Sequence, residues 1–160
     1  MSTVLLAVDA QHYAPEAAEL TRDLCRGTGD TVLVLHVHEH AVGRFGKLRV
    51  CCLDDQAERQ LPEIATALRD AGITAEHEIH ETLMGSVAQA LVEVSDQRDA
   101  RLIVVGSRQL TDLPHITVGS VSNKLLHLAK RPVLVVPHRH SAGQQPETPD
   151  PDQTAQPVAD

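Results

Sequence analysis

Short apolar runs alternate along the chain with longer segments of helical periodicity. Residues 4–10, 31–38, 101–107 and 132–137 are runs too short for helices and rich in Val, Ile and Leu, so they predict buried strands. Residues 73–80 instead alternate apolar and polar side chains, as a half-exposed edge strand does. The pattern therefore predicts five strands, of which the third along the chain lies at an edge.

Between these runs, apolar residues repeat at the spacing of amphipathic helices. Pro15 suits the first position of the first helix, and Gly27 supplies its stop. The second helical pattern ends at Gly72 and contains Pro62, which predicts either a kink there or a later start for the helix. Two further helices of this kind precede the fourth and fifth strands.

Strands that alternate with helices form a parallel sheet through right-handed crossovers. We therefore predict an α/β fold: a five-stranded parallel, doubly wound, Rossmann-like sheet with helices on both faces. Apolar residues make up 42% of the chain and aromatic ones only 1%, so Val, Leu, Ile and Ala must build the core, as is typical of such sheets. A length of 160 residues fits one folded domain, which we place at residues 1–140.

Acidic residues give the chain a net charge of −8, and they are concentrated at its end. Residues 141–160 combine Pro and acidic side chains without apolar periodicity, which predicts a disordered, solvated tail. The absence of a basic cluster argues against nucleic acid or an anionic membrane as the main partner. The sequence shows neither a signal peptide nor a membrane span, so we expect a cytoplasmic protein.

Candidate binding residues follow three of the predicted strands. Ligands of doubly wound sheets bind beyond the carboxyl ends of the strands, where neighbouring connections diverge. Asp9 follows the first strand, residues 36–38 end the second, and Gly106 ends the fourth. Gly119 and Ser120 then open a helix, whose unpaired amides and positive dipole end favour an anion such as phosphate.

The second half of the chain carries a recognisable signature. The segment VGSRQLTDLPHITVGSVSNKLLHLAKRPVLVVP, with AVDA near the start and LHV in the second strand, resembles the universal stress protein family over residues 3–137. The resemblance implies the strand order 3-2-1-4-5. It also implies a homodimer paired through the last strand, which begins at Pro132 and ends at Pro137, and in one subgroup bound ATP.

The nucleotide-binding subgroup has a spaced glycine motif: glycine, two residues, glycine, nine residues, glycine, then Ser or Thr. Gly106, Gly119 and Ser120 match this motif, whereas Gln109 stands in place of the second glycine. Glycine at that position lets the backbone approach phosphate closely, and a side chain can block that approach. Gln109 is therefore the residue that separates a nucleotide-binding protein from one that binds none.

The resemblance also implies a part in nucleotide binding for each matching position. Asp9 corresponds to the acidic residue near the nucleoside, and Val37 to the residue whose backbone meets adenine. Gly106 corresponds to the residue beside the ribose. The phosphates would meet amides or a hydroxyl at the start of the last helix, from Gly119, Ser120 and Val121.

Each of these positions also has a structural interpretation. Asp9 can cap the turn between strand and helix, because aspartate side chains commonly bond backbone amides two residues on. Ser120 can be the N-cap of the last helix. Gly106 can simply mark the end of its strand.

Two other groups of residues are candidates for metal binding and for redox chemistry. His36, His38 and His40 alternate, so they would share one face of a strand and could bind a metal. In the resembled family the histidine before Val37 is frequent without any metal, and we expect none. The adjacent Cys51 and Cys52 are a candidate redox pair, although thiol reactivity needs an exposed, electropositive setting.

The sequence contains no recognisable catalytic constellation. It has no serine elbow, no Cys and His pairing and no phosphate loop with its lysine, so we expect no enzyme beyond very slow ATP hydrolysis. The first hypothesis is a stress-response regulatory module that binds ATP or AMP at the ends of the first, second and fourth strands. The alternative is a nucleotide-free homodimer in which Gln109 occludes the site and an unidentified protein partner is recruited.

Overall fold

The computed structural model describes residues 1–42, 48–49, 55–107 and 119–137. Within these residues, one sheet is flanked by four helices. The strands are β1 (Thr3–Ala7), β2 (Thr31–Val42), β3 (Leu48–Arg49), β4 (Thr74–Leu83), β5 (Ala100–Ser107) and β6 (Val133–Pro137). The helices are α1 (Pro15–Cys25), α2 (Asp55–Asp70), α3 (Val87–Gln97) and α4 (Ser120–Leu128).

Five of the strands run parallel in the order β4-β2-β1-β5-β6. Counted along the chain these are 3-2-1-4-5, so the predicted sheet is confirmed. β1 lies at the centre, and β4 lies at an edge as its alternating pattern predicted. The sequence pattern did not reveal β3, which pairs antiparallel with the end of β2 over only two residues. A strand this short leaves no periodicity to read.

The period of two in each strand divides the core into two layers. Val4 and Leu6 of β1 pack beneath α1 and α2, whereas Leu5 between them packs beneath α3 and α4. Successive side chains of a strand point to opposite faces, and both faces are apolar here. Because helices cover both faces, the sheet is doubly wound as predicted.

The helix boundaries follow the sequence signals with one exception. Pro15 is the first residue of α1, and Gly27 with a φ of 75° follows its end. α2 begins at Asp55 and contains Pro62, so the predicted later start is wrong. Leu61, the residue before this proline, is fully buried. Packing of that apolar face offsets the hydrogen bond that the proline removes.

A buried carboxylate ties the strands together at their amino ends, opposite the candidate site. Asp30 accepts hydrogen bonds from Arg101, 2.6 Å from its Nη2, from the Thr28 hydroxyl and from the Ser2 amide. Burial raises the pKa of Asp30, but these hydrogen bonds and the Arg101 charge outweigh it and hold the pKa below its usual value. The carboxylate therefore stays charged and connects β1, β2 and β5.

Membrane crossing requires about 18 or more apolar residues in one helix. None of the four helices in the described ranges has that length and character. The predicted tail of residues 141–160 lies outside the described residues.

Candidate nucleotide site at the carboxyl ends of the strands

A cleft of about 920 Å³ opens where β1, β2 and β5 end. The chain leaves β1 toward α1 on one face of the sheet and leaves β5 toward α4 on the other, so the connections diverge at this point. A volume of this size is within the range of small-molecule sites. Six of the seven predicted site residues line it: Asp9, Val37, Gly106, Gly119, Ser120 and Val121.

Asp9 lies at the turn that leads from β1 to α1. Its Oδ1 accepts a hydrogen bond from the Gln11 amide at 3.1 Å, and its Oδ2 is 3.4 Å from Nδ1 of His12. The prediction that this aspartate caps the turn is therefore confirmed. Its side chain is also 34% exposed and faces the cleft, so capping and ligand contact are compatible.

His36 fixes the floor of the cleft beneath Val37. Its Nδ1 is 2.9 Å from the Val8 carbonyl, and since a carbonyl only accepts, this nitrogen carries the proton. The Val8 amide in turn donates to the Leu35 carbonyl at 2.8 Å. These two bonds hold β1 against β2 beyond the last residue of β1.

Gly106 is required by packing against the start of α1. A Cβ atom built on it would lie 2.6 Å from the Cβ of Ala14, well inside any ordinary contact. β5 runs through Gly106 to Ser107, so the strand predicted at residues 101–107 is confirmed, with Gly106 as its penultimate residue. The glycine is needed because α1 approaches the strand closely, and this contact helps shape the wall of the cleft.

The start of α4 presents backbone amides at the cleft. Its N-cap is Gly119, and Ser120 is the first helical residue, so the prediction that Ser120 is the N-cap is wrong. The Asn123 amide donates to the Gly119 carbonyl at 2.8 Å, closing the first turn. The amides of Ser120, Val121 and Ser122 precede this bond and lack intrahelical acceptors. Such a helix end can hold an anion.

Sequence reasoning missed the contribution of α2 and of the loop after β1. Asp55, Gln56 and Arg59 line the cleft from the first turns of α2. Among the described residues that line the cleft, Arg59 is the only lysine or arginine. Tyr13 lines it from the loop, and burial followed by the charges of Glu19 and Glu16 raises the pKa of its phenol. No local signal marks these residues, because only the packing of α2 brings them to the sheet end.

Three predicted residues lie outside the described part of the chain. These are Gln109, on which the nucleotide question depends, and the candidate redox pair Cys51 and Cys52. Their predicted parts stay predictions. Cys25 lies in the described part, is buried, and has a thiol pKa raised by burial and by the Asp30 carboxylate.

Comparison with known proteins identifies relatives over nearly the whole described chain. The model of the universal stress protein family matches residues 1–137. A universal stress protein of Thermus aquaticus is 30% identical over 135 residues, which cover 84% of this chain and 97% of that protein.

Solved structures share the fold at lower identity. A universal stress protein from Archaeoglobus fulgidus, solved in complex with dAMP, has a TM-score of 0.63 and 21% identity, covering 85% of this chain and 98% of the other. A universal stress protein family member from Arabidopsis thaliana, solved with AMP bound, has a TM-score of 0.63 and 19% identity, covering 92% and 98%. With its sheet order and these matches, the chain belongs to the universal stress protein family.

Proposed function

We propose that this protein is a regulatory module that binds an adenine nucleotide, ATP or AMP, in the cleft at the ends of β1, β2 and β5. The observation that carries the proposal is that six residues predicted from the sequence meet around one cleft of about 920 Å³. They come from four separate elements and connections of the chain. A binding cleft gives these separate parts of the chain one shared role.

The chemistry of the cleft suits the parts of a nucleotide. Adenine would lie against Val37, with Asp9 near the nucleoside. Phosphate would lie at the start of α4, where the amides around Ser120 offer donors. Arg59 supplies a positive charge on the opposite, α2 side of the cleft. Action would be conformational or mediated by a partner protein, since the described cleft offers no evident nucleophile paired with a base.

Structural relatives support the choice of adenine. One relative of the same fold was solved with dAMP and another with AMP, and their ligands share the adenine base. At these identities the likeness establishes the fold, and the ligand of this chain is our inference.

Binding is tested first on the purified protein. The protein is denatured, the released small molecules are analysed, and ATP and AMP are titrated into nucleotide-free protein by calorimetry. We expect one nucleotide per chain and a loss of affinity of about tenfold or more in Asp9→Ala, the range for removing a hydrogen bond to a charged or polar ligand group.

Because Asp9 also holds its turn, the design includes two comparisons. Asp9→Asn keeps an oxygen that can accept from the Gln11 amide while removing the charge, so it separates the turn from ligand recognition. Asp23→Ala removes a carboxylate that is 61% exposed on α1 and serves as the matched control. Absence of nucleotide binding by a correctly folded protein would contradict the proposal.

A second candidate function, a nucleotide-free homodimeric interaction module, is favoured by the surface around β6. α1 and α4 contact β6 from opposite faces of the sheet, and both carry exposed leucines. The four side chains are 36% to 50% exposed: Leu20, Leu24, Leu126 and Leu128. Exposed apolar side chains beside an edge strand suit pairing with a second copy of the chain.

The dimer is tested by blocking the edge of β6. The Pro132 carbonyl accepts a hydrogen bond from the Ile103 amide of β5. Alternate residues of a strand direct their backbone groups to the same neighbour, so Leu134 also faces β5. The amide of Val135 therefore points away from β5, toward the open edge of the sheet. Val135→Pro should therefore convert a dimer to a monomer in analytical ultracentrifugation without unfolding the chain. A wild-type protein that sediments as a monomer at all concentrations would contradict this pairing.

A further inference from the structure

The histidines at the end of β2 form a polar cluster beneath a helix. His36, His38 and His40 alternate along β2 and share the face that packs beneath α1 and α2. The nucleotide site accounts for only part of this cluster, because His40 does not line the described cleft.

Buried ring nitrogens in this cluster lack hydrogen-bond partners. The His40 side chain is only 8% exposed, and neither of its ring nitrogens has a hydrogen-bond partner. Nε2 of His38 is also buried without a partner. Folded proteins pair the large majority of such atoms, because a buried polar atom without a hydrogen-bond partner destabilises the fold. Nε2 of His38 and Nδ1 of His40 therefore point to a bound group, whereas Nε2 of His40 lies near the Glu81 carboxylate.

The spacing of the two rings suits a shared metal ion. The ring centroids of His38 and His40 are 4.9 Å apart, with planes at 73°. Two imidazoles on one tetrahedral ion, at metal–nitrogen distances of about 2.0–2.1 Å, place their centroids about 5 Å apart. His36 is left out, because its centroid is 6.4 Å from that of His38, farther apart than the centroids of two imidazoles on one tetrahedral ion.

A carboxylate stands beside this pair on the neighbouring strand. Glu81 is the register partner of His38 in the parallel β2 and β4 pair, so both side chains point to the same face. Its Oε2 is 3.3 Å from Nε2 of His40, and its side chain is 66% exposed. No three His, Cys, Asp or Glu side chains of the described residues already converge on one point, so Glu81 has to turn toward the pair.

We propose that His38 and His40, with Glu81 as a third ligand, bind a divalent transition-metal ion such as Zn²⁺. Imidazole and carboxylate donors suit Zn²⁺, Cu²⁺ and Ni²⁺, and water fills the remaining position. The ion would satisfy the buried nitrogens and join β2 to β4. His38 also lines the nucleotide cleft, so the metal site and that cleft share one residue.

The test is calorimetric titration of Zn²⁺ into the full chain without nucleotide. We expect one site per chain whose affinity falls about tenfold or more in His38→Gln and in His40→Gln. His77→Gln, which changes an exposed histidine of β4, is the matched control and should leave the affinity unchanged. Glutamine keeps a polar side chain of similar reach at each position.

Folding of each variant is checked by circular dichroism. If either variant at His38 or His40 unfolds, the ring ¹⁵N signals of the wild-type histidines decide, and Zn²⁺ must shift those of His38 and His40. Equal Zn²⁺ affinity in wild type and in both folded variants would overturn the proposal. Shifts confined to the other histidines, or no Zn²⁺ binding by the wild type, would also overturn it.

Discussion

Substitution of Gly106 by alanine tests how closely α1 approaches β5. The new Cβ would lie 2.6 Å from the Cβ of Ala14, about 0.8 Å short of ordinary contact at 3.4 Å. Neither atom can rotate away, because each is attached directly to the backbone. The turn before α1 must therefore shift by most of that distance.

The expected magnitude follows from two opposing terms. Overpacking of this kind costs about 1–3 kcal/mol. Replacing glycine by alanine also restricts the unfolded chain, which stabilises the folded state by about 0.4–1 kcal/mol. We expect the free energy of unfolding of Gly106→Ala to fall by about 1–2 kcal/mol. Urea denaturation measures this as a lower midpoint concentration with an unchanged dependence of the free energy on urea concentration.

A matched control and a double variant isolate the contact. Gly119→Ala places a Cβ in open space, so it should change stability by less than about 1 kcal/mol. Ala14→Gly removes the opposing Cβ, so the double variant with Gly106→Ala should regain about 1 kcal/mol or more relative to the sum of the single changes. A Gly106→Ala protein as stable as wild type, or a double variant with additive losses, would refute the steric reasoning.

Three further predictions concern charge, ligand access and thiol reactivity. Asp30→Asn should lower the free energy of unfolding by about 1–3 kcal/mol at neutral pH. Because the pKa of Asp30 is lower in the folded state, its contribution is complete above about pH 4 and is lost as the pH falls toward the depressed pKa. Urea midpoints between pH 6 and pH 3 should therefore fall less steeply in Asp30→Asn than in wild type. Gln109→Gly should strengthen ATP binding in calorimetry if the glutamine blocks phosphate, and unchanged weak affinity would count against occlusion. A variant with both Cys51 and Cys52 changed to serine should react slowly with a thiol reagent at pH 8, because Cys25 is buried and its thiol pKa is raised; rapid stoichiometric labelling would contradict this.

The sequence predicted the architecture because the fold is encoded in local periodicity. Apolar runs of β-branched residues, helical repeats and the glycines that follow them locate every long strand and helix. Parallel order then follows from the alternation of strand and helix. The two-residue β3 escaped prediction because a pairing that short is decided by its neighbour, not by its own pattern.

The site was predictable where residues occupy fixed positions on the strands. Val37 and Gly106 on their strands, and Asp9 just after β1, line the cleft, since the carboxyl ends of parallel strands meet at one edge whatever the details of packing. Arg59 was missed because its place in the cleft depends on how α2 packs against the sheet. The spacing of charges along a helix does not show how that helix packs against the sheet.

Alternation of apolar and polar residues determined by itself the α/β class, the edge position of the third parallel strand and the edge of the sheet where ligands would meet. The tertiary structure decided the contacts between side chains distant in sequence. These include the pairing of Asp30 with Arg101 across 71 residues, the closeness that makes Gly106 necessary, and the burial of His40. Periodicity records which face of an element is apolar. Which atoms touch, and how closely, is fixed only when those faces pack together.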